Sequence, residues 1–344
     1  MAVLVFITIS GFVITHLVTE RPEPYGPYLI RRFMRIFPLF AVTCIIGFYA
    51  SDIHAVTLSH VAWADTPSFA DRLAWFVGVA HSDHEFFWAH VLAHLTMLHG
   101  AISTRLLPFA PHAFNPPAWS ISLEWQFYLL APFAITLIRR RRAFIWLAAA
   151  VAVLECLYQL GFLGVFETPS SLPAAAGYFV LGIVSRLLYP EFVGSIRYFT
   201  AMPLFIVLLP LGWDAVPILV WAVIMFGLLI DRSDANAASF TRCYEGMLES
   251  RFATYCGSRS YSVYLSHYSI LAVSHALWLA VFPTAQKVST LIGVSAMAIP
   301  LTFVIAELFY RGIERPGIAL GSMLARASKA TPSADYGRQA AGTK

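Results

Sequence analysis

The feature that most constrains this chain is a series of apolar stretches, each about as long as a membrane-spanning helix. About 20 apolar residues cross the hydrocarbon core of a bilayer. Only 12% of the 344 residues are charged, about half the share of an average soluble domain. A soluble fold of this size could not bury so many apolar residues, which excludes a soluble enzyme, a disordered chain and a nucleic-acid-binding protein. The nine stretches cover residues 2–19, 36–51, 119–138, 143–161, 174–190, 199–213, 215–231, 261–283 and 289–310.

The distribution of Lys and Arg orients these spans, because cytoplasmic loops are enriched in both. With the Arg31–Arg35 cluster and the Arg139–Arg142 run in the cytoplasm, all but three of the 23 cations lie on that side. The three exceptions are Arg72, Arg105 and Lys287. Residues 52–118 then lie outside, and the weaker apolar stretch 86–101 cannot cross. The sequence predicts an all-α, polytopic transmembrane helix bundle of about nine spans with a cytoplasmic C-terminus.

The odd number of crossings places Met1 on the outer side, at the start of a span that has no cationic flank. We therefore expect about one further helix upstream of Met1, and a stop codon just before it would contradict this expectation. The other end of the chain is small and polar. We predict a helix bundle over residues 1–317 and a disordered cytoplasmic tail over 318–344.

Glu124 is the first candidate functional residue, because ionisable side chains inside membrane spans are costly and often functional. The prolines Pro116 and Pro117 end the outer loop before it, and helical spacing places Trp119 and Ser120 near it. Its carboxylate could orient a substrate hydroxyl, accept a proton or pair with an arginine. A structural ion pair, or a carboxylate that reaches the interface, is the alternative.

The segment Tyr261–His267 is the second candidate, since Tyr261, Tyr264 and His267 share roughly one helix face. Histidine can act as acid or base near neutral pH. A single histidine in an apolar helix is more often a hydrogen-bonded packing residue, and this alternative stays open.

Arginines form the third candidate. Arg31, Arg32 and Arg35 stand at the cytoplasmic start of the second span, where cations often only fix topology or contact anionic lipid. A cluster of forked guanidiniums also suits phosphate or pyrophosphate groups. The Arg139–Arg142 run is interpreted as a topology signal.

Glu314 follows the last span, close to Arg311 and Arg315. Pro316 indicates the end of a helix there. We favour a surface ion pair at a helix end as its interpretation.

Histidines are concentrated in residues 52–118, and His90 and His94 stand four apart, a spacing that suits two metal ligands. No clear carboxylate completes an H-E-x-x-H pattern, and the four cysteines have no metal-like or redox-like spacing. We therefore predict no metal site.

Five segments resemble, in the same order, the motifs of the acyltransferase-3 family of bacterial integral-membrane O-acyltransferases. The resemblance runs from residue 1 to about residue 317. The matching segments are Phe6–Ile14 (F-F-x-x-S-G-F-x-I in the family), Arg31–Pro38 (R-R-x-x-R-I-x-P), Asn115–Tyr128 (N-x-x-x-W-S-L-x-x-E-x-x-F-Y), Ser260–His267 (S-Y-x-x-Y-L-x-H) and Ile313–Pro316 (I-E-x-P).

The resemblance implies a ten-helix bundle in the bacterial cytoplasmic membrane, one helix more than the nine counted. It also implies transfer of an acyl group, commonly acetyl, from cytoplasmic acyl-CoA to a hydroxyl of a glycan, a lipid-linked sugar or a related acceptor. Acyl-CoA is then a co-substrate, and no further cofactor is expected.

Site residues follow from the same resemblance. Arg32 and Arg35 match arginines on the acyl-CoA side, and Glu124 matches the family glutamate. Our hypothesis is that Glu124 and His267 belong to the catalytic site. Substrate-binding residues in this hypothesis are Arg32, Arg35, Trp119, Ser120, Tyr261 and Tyr264.

The chain departs from the family in one respect. The family's catalytic histidine sits in a first helix that this chain does not contain, and His16 lies in a different helix. We expect the chain as given to be inactive or nearly so, and its full-length gene product to be an acyltransferase. Equal rates of acyl transfer by this chain and an N-terminally extended form would contradict this hypothesis.

Two alternatives remain open. One is a polytopic transporter or flippase for a sugar or lipid, in which Glu124 and His267 relay protons. The other is a truncated, non-catalytic homologue.

Overall fold

The computed structural model describes residues 2–138, 141–192, 215–229 and 235–330. All of the regular secondary structure in these residues is helical, and loops connect the helices. The predicted all-α class is confirmed. The helices are α1 (Ala2–Glu20), α2 (Tyr25–Ser59), α3 (Pro67–Glu85), α4 (Phe87–Leu95), α5 (Trp119–Ile138), α6 (Arg141–Gln159), α7 (Leu172–Phe192), α8 (Ala215–Leu229), α9 (Ala235–Leu248), α10 (Arg251–Val281), α11 (Lys287–Phe309) and α12 (Arg315–Ala330).

Eight of the nine predicted spans coincide with these helices, and the stretch 199–213 lies outside the described residues. α10 carries more polar residues than its neighbours and is not among the helices that are apolar enough to cross. Five described segments are long and apolar enough to cross a bilayer: Ala2–Glu20, Tyr25–Ser59, Pro116–Ile138, Leu172–Glu191 and Lys287–Ser328. Two shorter helices are apolar as well: Ile145–Gln159 and Ala215–Leu229.

The segment between α2 and α5 forms two helices and two short 3₁₀ turns. α4 has nine residues and is about 14 Å long. It is therefore too short to cross a bilayer of about 30 Å, as predicted for the stretch 86–101. α3 was not predicted, and it packs along the second half of α2.

Glycines allow α1 and α7 to pack closely. Gly11 of α1 lies against the carbonyl group of Phe179, and Gly182 of α7 lies against the carbonyl group of Thr8. Because glycine has no side chain, the two backbones come into direct contact, which is how small residues join helices in membranes. This contact fixes α1 beside the centre of the bundle.

The end of the chain corrects two expectations. Pro316 was expected to end the last helix, and a disordered tail was expected from residue 318, but α12 continues to Ala330. A π-helical turn over Tyr310–Glu314 separates α12 from α11. Pro316 therefore falls in the first turn of a new helix, where its missing N–H breaks no helical hydrogen bond. Residues 331–344 lie outside the described residues.

Small residues explain why α12 packs instead of remaining disordered. A Cβ added to Gly317 would lie only 2.7 Å from the carbonyl oxygen of Met34 on α2, so the glycine allows the two backbones to approach. Gly321 lies against the Met34 side chain. Pro38 has no N–H to donate to that carbonyl, so α2 leaves space there for a neighbouring backbone. Gly317 and Gly321 stand four residues apart and so share one face of α12. This spacing indicated a packed helix, which the average composition of the segment did not show.

The glycine contact between α1 and α7 gives a first prediction. The change Gly182→Ala adds a Cβ that would overlap the Thr8 carbonyl, and we expect a loss of stability of about 1–3 kcal/mol. The matched control is Gly257→Ala in α10, where nothing lies within 4 Å of an added Cβ. Alanine favours a helix interior there by about 1 kcal/mol. Thermal unfolding of the detergent-purified variants measures both, and equal melting temperatures would contradict the close contact.

Candidate functional site

Glu124 lies in the centre of the bundle and is 4% exposed. Its Oε1 accepts a hydrogen bond from Ser10 Oγ on α1 (3.0 Å) and another from the Tyr128 hydroxyl one turn further along α5. Neither bond involves Oε2, which has no hydrogen-bond partner in the described part of the chain. A buried carboxylate of this kind is stable only when donors satisfy it. Its second oxygen is therefore available to a substrate hydroxyl.

Ser10 and Tyr128 were not predicted as partners of Glu124. Tyr128 could have been found from its spacing, because it stands four residues after Glu124 on the same helix. Ser10 lies 114 residues away in the sequence, and only its place in the Phe6–Ile14 motif indicated that it mattered.

Arg32 and Arg35 lie in the same region. The Arg32 guanidinium lies 5.9 Å from the ring centroid of Tyr28 and 5.7 Å from that of Tyr128. Tyr128 therefore contacts Arg32 with its ring and Glu124 with its hydroxyl. The positive charges of both arginines also act on Glu124.

Glu314 corrects the expectation of a surface ion pair. It is 3% exposed and accepts a hydrogen bond from Ser262 Oγ on α10 (2.6 Å). Its position on the π-helical turn moves its side chain inward, and such turns are frequent at functional sites. The charge of Arg35 acts on Glu314 as well as on Glu124. Arg35 is itself exposed, so a ligand can reach it.

Tyrosines of α10 connect this helix to α2 and α5. The Tyr261 hydroxyl donates to the carbonyl of Ile36 (2.6 Å), and the Tyr264 hydroxyl donates to the carbonyl of Pro117 (2.6 Å). Ser120 Oγ donates in turn to the Tyr264 hydroxyl (2.8 Å). A cavity of about 200 Å³ lies beside these three side chains, next to the start of α1. The structure thus brings together Ser120, Tyr261 and Tyr264.

His267 and Trp119 do not join this network. His267 Nδ1 lies 2.5 Å from the carbonyl oxygen of Tyr264 in its own helix. No hydrogen bond connects His267 to Glu124 among residues 2–138 and 235–330. Trp119 begins α5 and packs, partly buried, against the apolar core.

Buried histidines fix the segment that leads into α5. The rings of His94 and His99 stack with their centroids 4.0 Å apart, and their Nε2 atoms lie 3.0 Å and 3.2 Å from the carbonyl oxygens of Ala113 and Ala118. Burial lowers the pKa of His94 to about 4 and the pKa of His99 well below its usual value. Burial thus favours the neutral form of both rings, and their contacts with the two carbonyl oxygens hold this segment against α4.

Asp83 of α3 fixes the same segment from its other side. Asp83 Oδ1 accepts the backbone N–H of Phe114 (3.0 Å), and Phe114 has a φ of 62°. A bulky residue rarely adopts this left-handed conformation, so the hydrogen bond helps to maintain it. Asn115 follows directly, and its Nδ2 donates to the carbonyl of Leu265 on α10 (3.1 Å).

Comparison with known protein families gives a match over most of the chain. A family model described as an acyltransferase domain matches residues 1–310. This range contains Glu124, the three arginines of α2 and the tyrosines of α10, and it ends four residues before Glu314. Neither the curated proteins nor the solved structures include a match.

Asp83 gives a prediction about pH. Burial raises the pKa of Asp83 to about 7, so the folded protein retains a proton that the unfolded chain has released. The contribution of Asp83 to the free energy of unfolding is therefore largest below pH 4, falls between pH 4 and pH 7 and is constant above pH 7. In Asp83→Asn the side-chain oxygen can still accept the Phe114 N–H, but nothing titrates.

We expect the stability of Asp83→Asn relative to the native protein to increase from pH 5 to pH 7, by at most about 1.4 kcal/mol per pH unit. Thermal unfolding at pH 5, 6, 7 and 8 measures this difference. The histidines titrate in both proteins and cancel. A difference that does not change with pH would show that Asp83 is ionised normally.

Proposed function

The chain belongs to the acyltransferase-3 family, whose model matches residues 1–310 of the 344, and from this premise we propose an integral-membrane O-acyltransferase. It transfers an acyl group, which we propose is acetyl, from acyl-CoA to a hydroxyl of a glycan, a lipid-linked sugar or a related acceptor. We place it in the bacterial cytoplasmic membrane, with the arginine cluster of α2 on the cytoplasmic side.

The observation that carries this proposal is the connection of Glu124 to an arginine-lined cavity. The cavity has a volume of about 670 Å³ and lies where the end of α1, the start of α2 and the end of α5 meet. Arg21, Arg31 and Arg32 line it together with Tyr28. Arg32 lines this cavity, and its guanidinium also packs on the ring of Tyr128. The Tyr128 hydroxyl in turn donates a hydrogen bond to Glu124.

The lining of this cavity suits a phosphorylated ligand. The Tyr28 hydroxyl and Arg32 Nε are buried donors without a hydrogen-bond partner in the described residues. Guanidinium groups bind phosphate and pyrophosphate through paired charge-assisted hydrogen bonds. Arg31 Nε pairs with Glu23, which also lines the cavity (3.1 Å). We therefore assign the phosphates of acyl-CoA to Arg21 and Arg32, and the acyl end then reaches the bundle interior past Tyr128.

In the proposed reaction, the acceptor hydroxyl oxygen attacks the thioester carbonyl carbon. An ester bond forms, the carbon–sulfur bond breaks, and the acceptor proton is transferred so that CoA leaves as a thiol. Oε2 of Glu124 orients the acceptor hydroxyl or accepts its proton. Arg35, whose charge acts on both buried carboxylates, stabilises the negative charge that develops on the carbonyl oxygen. Tyr261, Tyr264 and His267 line the route of the acceptor.

Glu124 gives the direct test of this function. Glu124→Gln retains an oxygen that accepts from Ser10 and Tyr128, so we expect normal folding with acyl transfer reduced by at least about 100-fold. The assay uses the product of the complete reading frame in membrane vesicles, labelled acetyl-CoA, and the label recovered in the envelope fraction. Glu85→Gln, on the exposed surface of α3, is the matched control. A near-normal rate in Glu124→Gln would remove Glu124 from the mechanism.

The same assay separates an enzyme from a transporter. An acyltransferase moves label from acetyl-CoA to an acceptor, whereas a transporter or flippase moves its substrate without modification. Vesicles that transport a substrate but leave no label on any acceptor would contradict the proposed function.

The arginines give a separate prediction for the donor. Loss of one charge-assisted contact costs about 1.5–3 kcal/mol. We therefore expect Arg32→Ala to raise the KM for acetyl-CoA about 10-fold or more. We expect Arg35→Ala to lower kcat instead, because it removes the charge that stabilises the carbonyl oxygen in the proposed reaction. Arg326→Ala, on the exposed face of α12, serves as the control. An unchanged KM in Arg32→Ala would show that the donor binds elsewhere.

A further inference from the structure

A small apolar cavity lies one helical turn from Glu124, where the starts of α1 and α5 meet α10. It has a volume of about 200 Å³, and its wall includes Val3 and Phe6 of α1, Ile121 of α5 and Tyr264 of α10. Ile121 is 1% exposed, so it forms the inner wall of the cavity. Most of the wall is hydrocarbon, which suits a small apolar group.

The hydroxyl groups that line this cavity are already engaged with protein partners. Tyr261 and Tyr264 donate to main-chain carbonyls of α2 and of the turn before α5. Ser120 donates to the Tyr264 hydroxyl, and Ser260 donates to a carbonyl of its own helix. A hydroxylated ligand would therefore find no free donor among the described lining residues. A hydrocarbon group could enter without breaking any of these hydrogen bonds.

The order of residues along α1 and α5 places Glu124 between this cavity and the arginine-lined cavity. On α1, Phe6 lines the apolar cavity, Ser10 donates to Glu124, and Arg21 lines the arginine-lined cavity. On α5, Ile121 lies one turn before Glu124, and the lining of the arginine-lined cavity begins about two turns after it. Both helices therefore pass from the apolar cavity, beside the carboxylate, to the arginines.

We propose that the apolar cavity receives the acyl group of the donor and limits the length of the chain that is transferred. This inference rests on the proposed acyl transfer. With the CoA phosphates in the arginine-lined cavity, the pantetheine arm has to cover about 12 Å along α5 from Pro132 to Glu124, which its extended length allows. The thioester then lies beside Glu124, and the chain beyond its carbonyl carbon enters the apolar cavity. Tyr261 and Tyr264, which line the acceptor route in the proposed reaction, border the acyl group as well.

The volume of the cavity predicts which acyl groups fit. An apolar cavity of about 150 Å³ in a protein core binds benzene. A cavity of about 200 Å³ therefore has room for a chain of about four to six carbon atoms. An acetyl group leaves most of this space empty and so forfeits van der Waals contacts. We expect the protein to accept acetyl, propanoyl and butanoyl groups, whereas a long fatty acyl chain does not fit.

The test measures donor binding without an acceptor. The product of the complete reading frame is reconstituted in phospholipid nanodiscs, and isothermal titration calorimetry gives the Kd values of acetyl-CoA, butanoyl-CoA and octanoyl-CoA. Titration of empty nanodiscs corrects for partition of the acyl chains into lipid.

Two substitutions change the cavity in opposite directions. Val3→Phe fills it, because Val3 is partly buried and lines the wall, and Phe6→Ala enlarges it. The matched control is Val13→Phe, the same substitution on the same helix, because Val13 is 45% exposed and lies outside the cavity. Thermal unfolding of each variant checks that it is folded.

In the native protein we expect butanoyl-CoA to bind about 10-fold more tightly than acetyl-CoA, because each additional buried methylene lowers the Kd about 4-fold. We expect octanoyl-CoA to bind no more tightly than butanoyl-CoA. Val3→Phe should abolish the preference for butanoyl-CoA, Phe6→Ala should shift the preference towards octanoyl-CoA, and Val13→Phe should keep the native order.

The proposal is overturned if the native protein binds acetyl-CoA and butanoyl-CoA equally or binds neither. It is also overturned if Val3→Phe and Phe6→Ala keep the native ratio of the Kd values, as they would if a lipid chain occupied the cavity. A general loss of stability cannot imitate the expected result, because the two variants should shift the preferred chain length in opposite directions.

The two proposals fail separately. A chain-length preference that Val3→Phe abolishes, without any acyl transfer in the vesicle assay, would contradict the proposed function and leave the acyl pocket intact. Acyl transfer with the same chain-length preference in all variants would contradict the acyl pocket alone.

Discussion

A carboxylate that is buried in an apolar bundle must be satisfied by hydrogen bonds and positive charge, and the arrangement of this protein depends on how Glu124 meets that requirement. Ser10 donates from α1 and Tyr128 from α5, while Arg32 and Arg35 bring positive charge from α2. These three helices must therefore meet at one point. The glycine contact between α1 and α7 keeps α1 close enough for Ser10 to reach the carboxylate.

Arg35 connects this centre to a second buried carboxylate. Its charge acts on both Glu124 and Glu314, and Glu314 is bonded to Ser262 of α10. The π-helical turn that carries Glu314 joins α11 to α12, and α12 packs on α2 beside Pro38. Glu124, Glu314 and the accessible Arg35 thus form one electrostatic unit that joins α5, the turn before α12 and α2.

The helices could be predicted because the length of an apolar stretch is a local property of the sequence. Of the two partners of Glu124, Tyr128 could be predicted from its spacing on α5, but Ser10 could not, because it lies 114 residues away. Glu314 was expected at the surface because arginines stand near it and Pro316 indicated the end of a helix, whereas the chain continues as α12, which packs on α2. α12 was expected to be disordered from its polarity, whereas its stripe of glycine residues allows it to pack.

The polar character of α10 follows from the hydrogen bonds that it makes to other helices. Tyr261 donates to the Ile36 carbonyl of α2, Ser262 donates to Glu314, and Tyr264 donates to the Pro117 carbonyl before α5. The Leu265 carbonyl accepts from Asn115 in the segment that leads into α5. A helix whose side chains satisfy polar groups of several neighbours cannot be as apolar as a helix that faces only lipid, which explains why α10 is not among the helices that are apolar enough to cross.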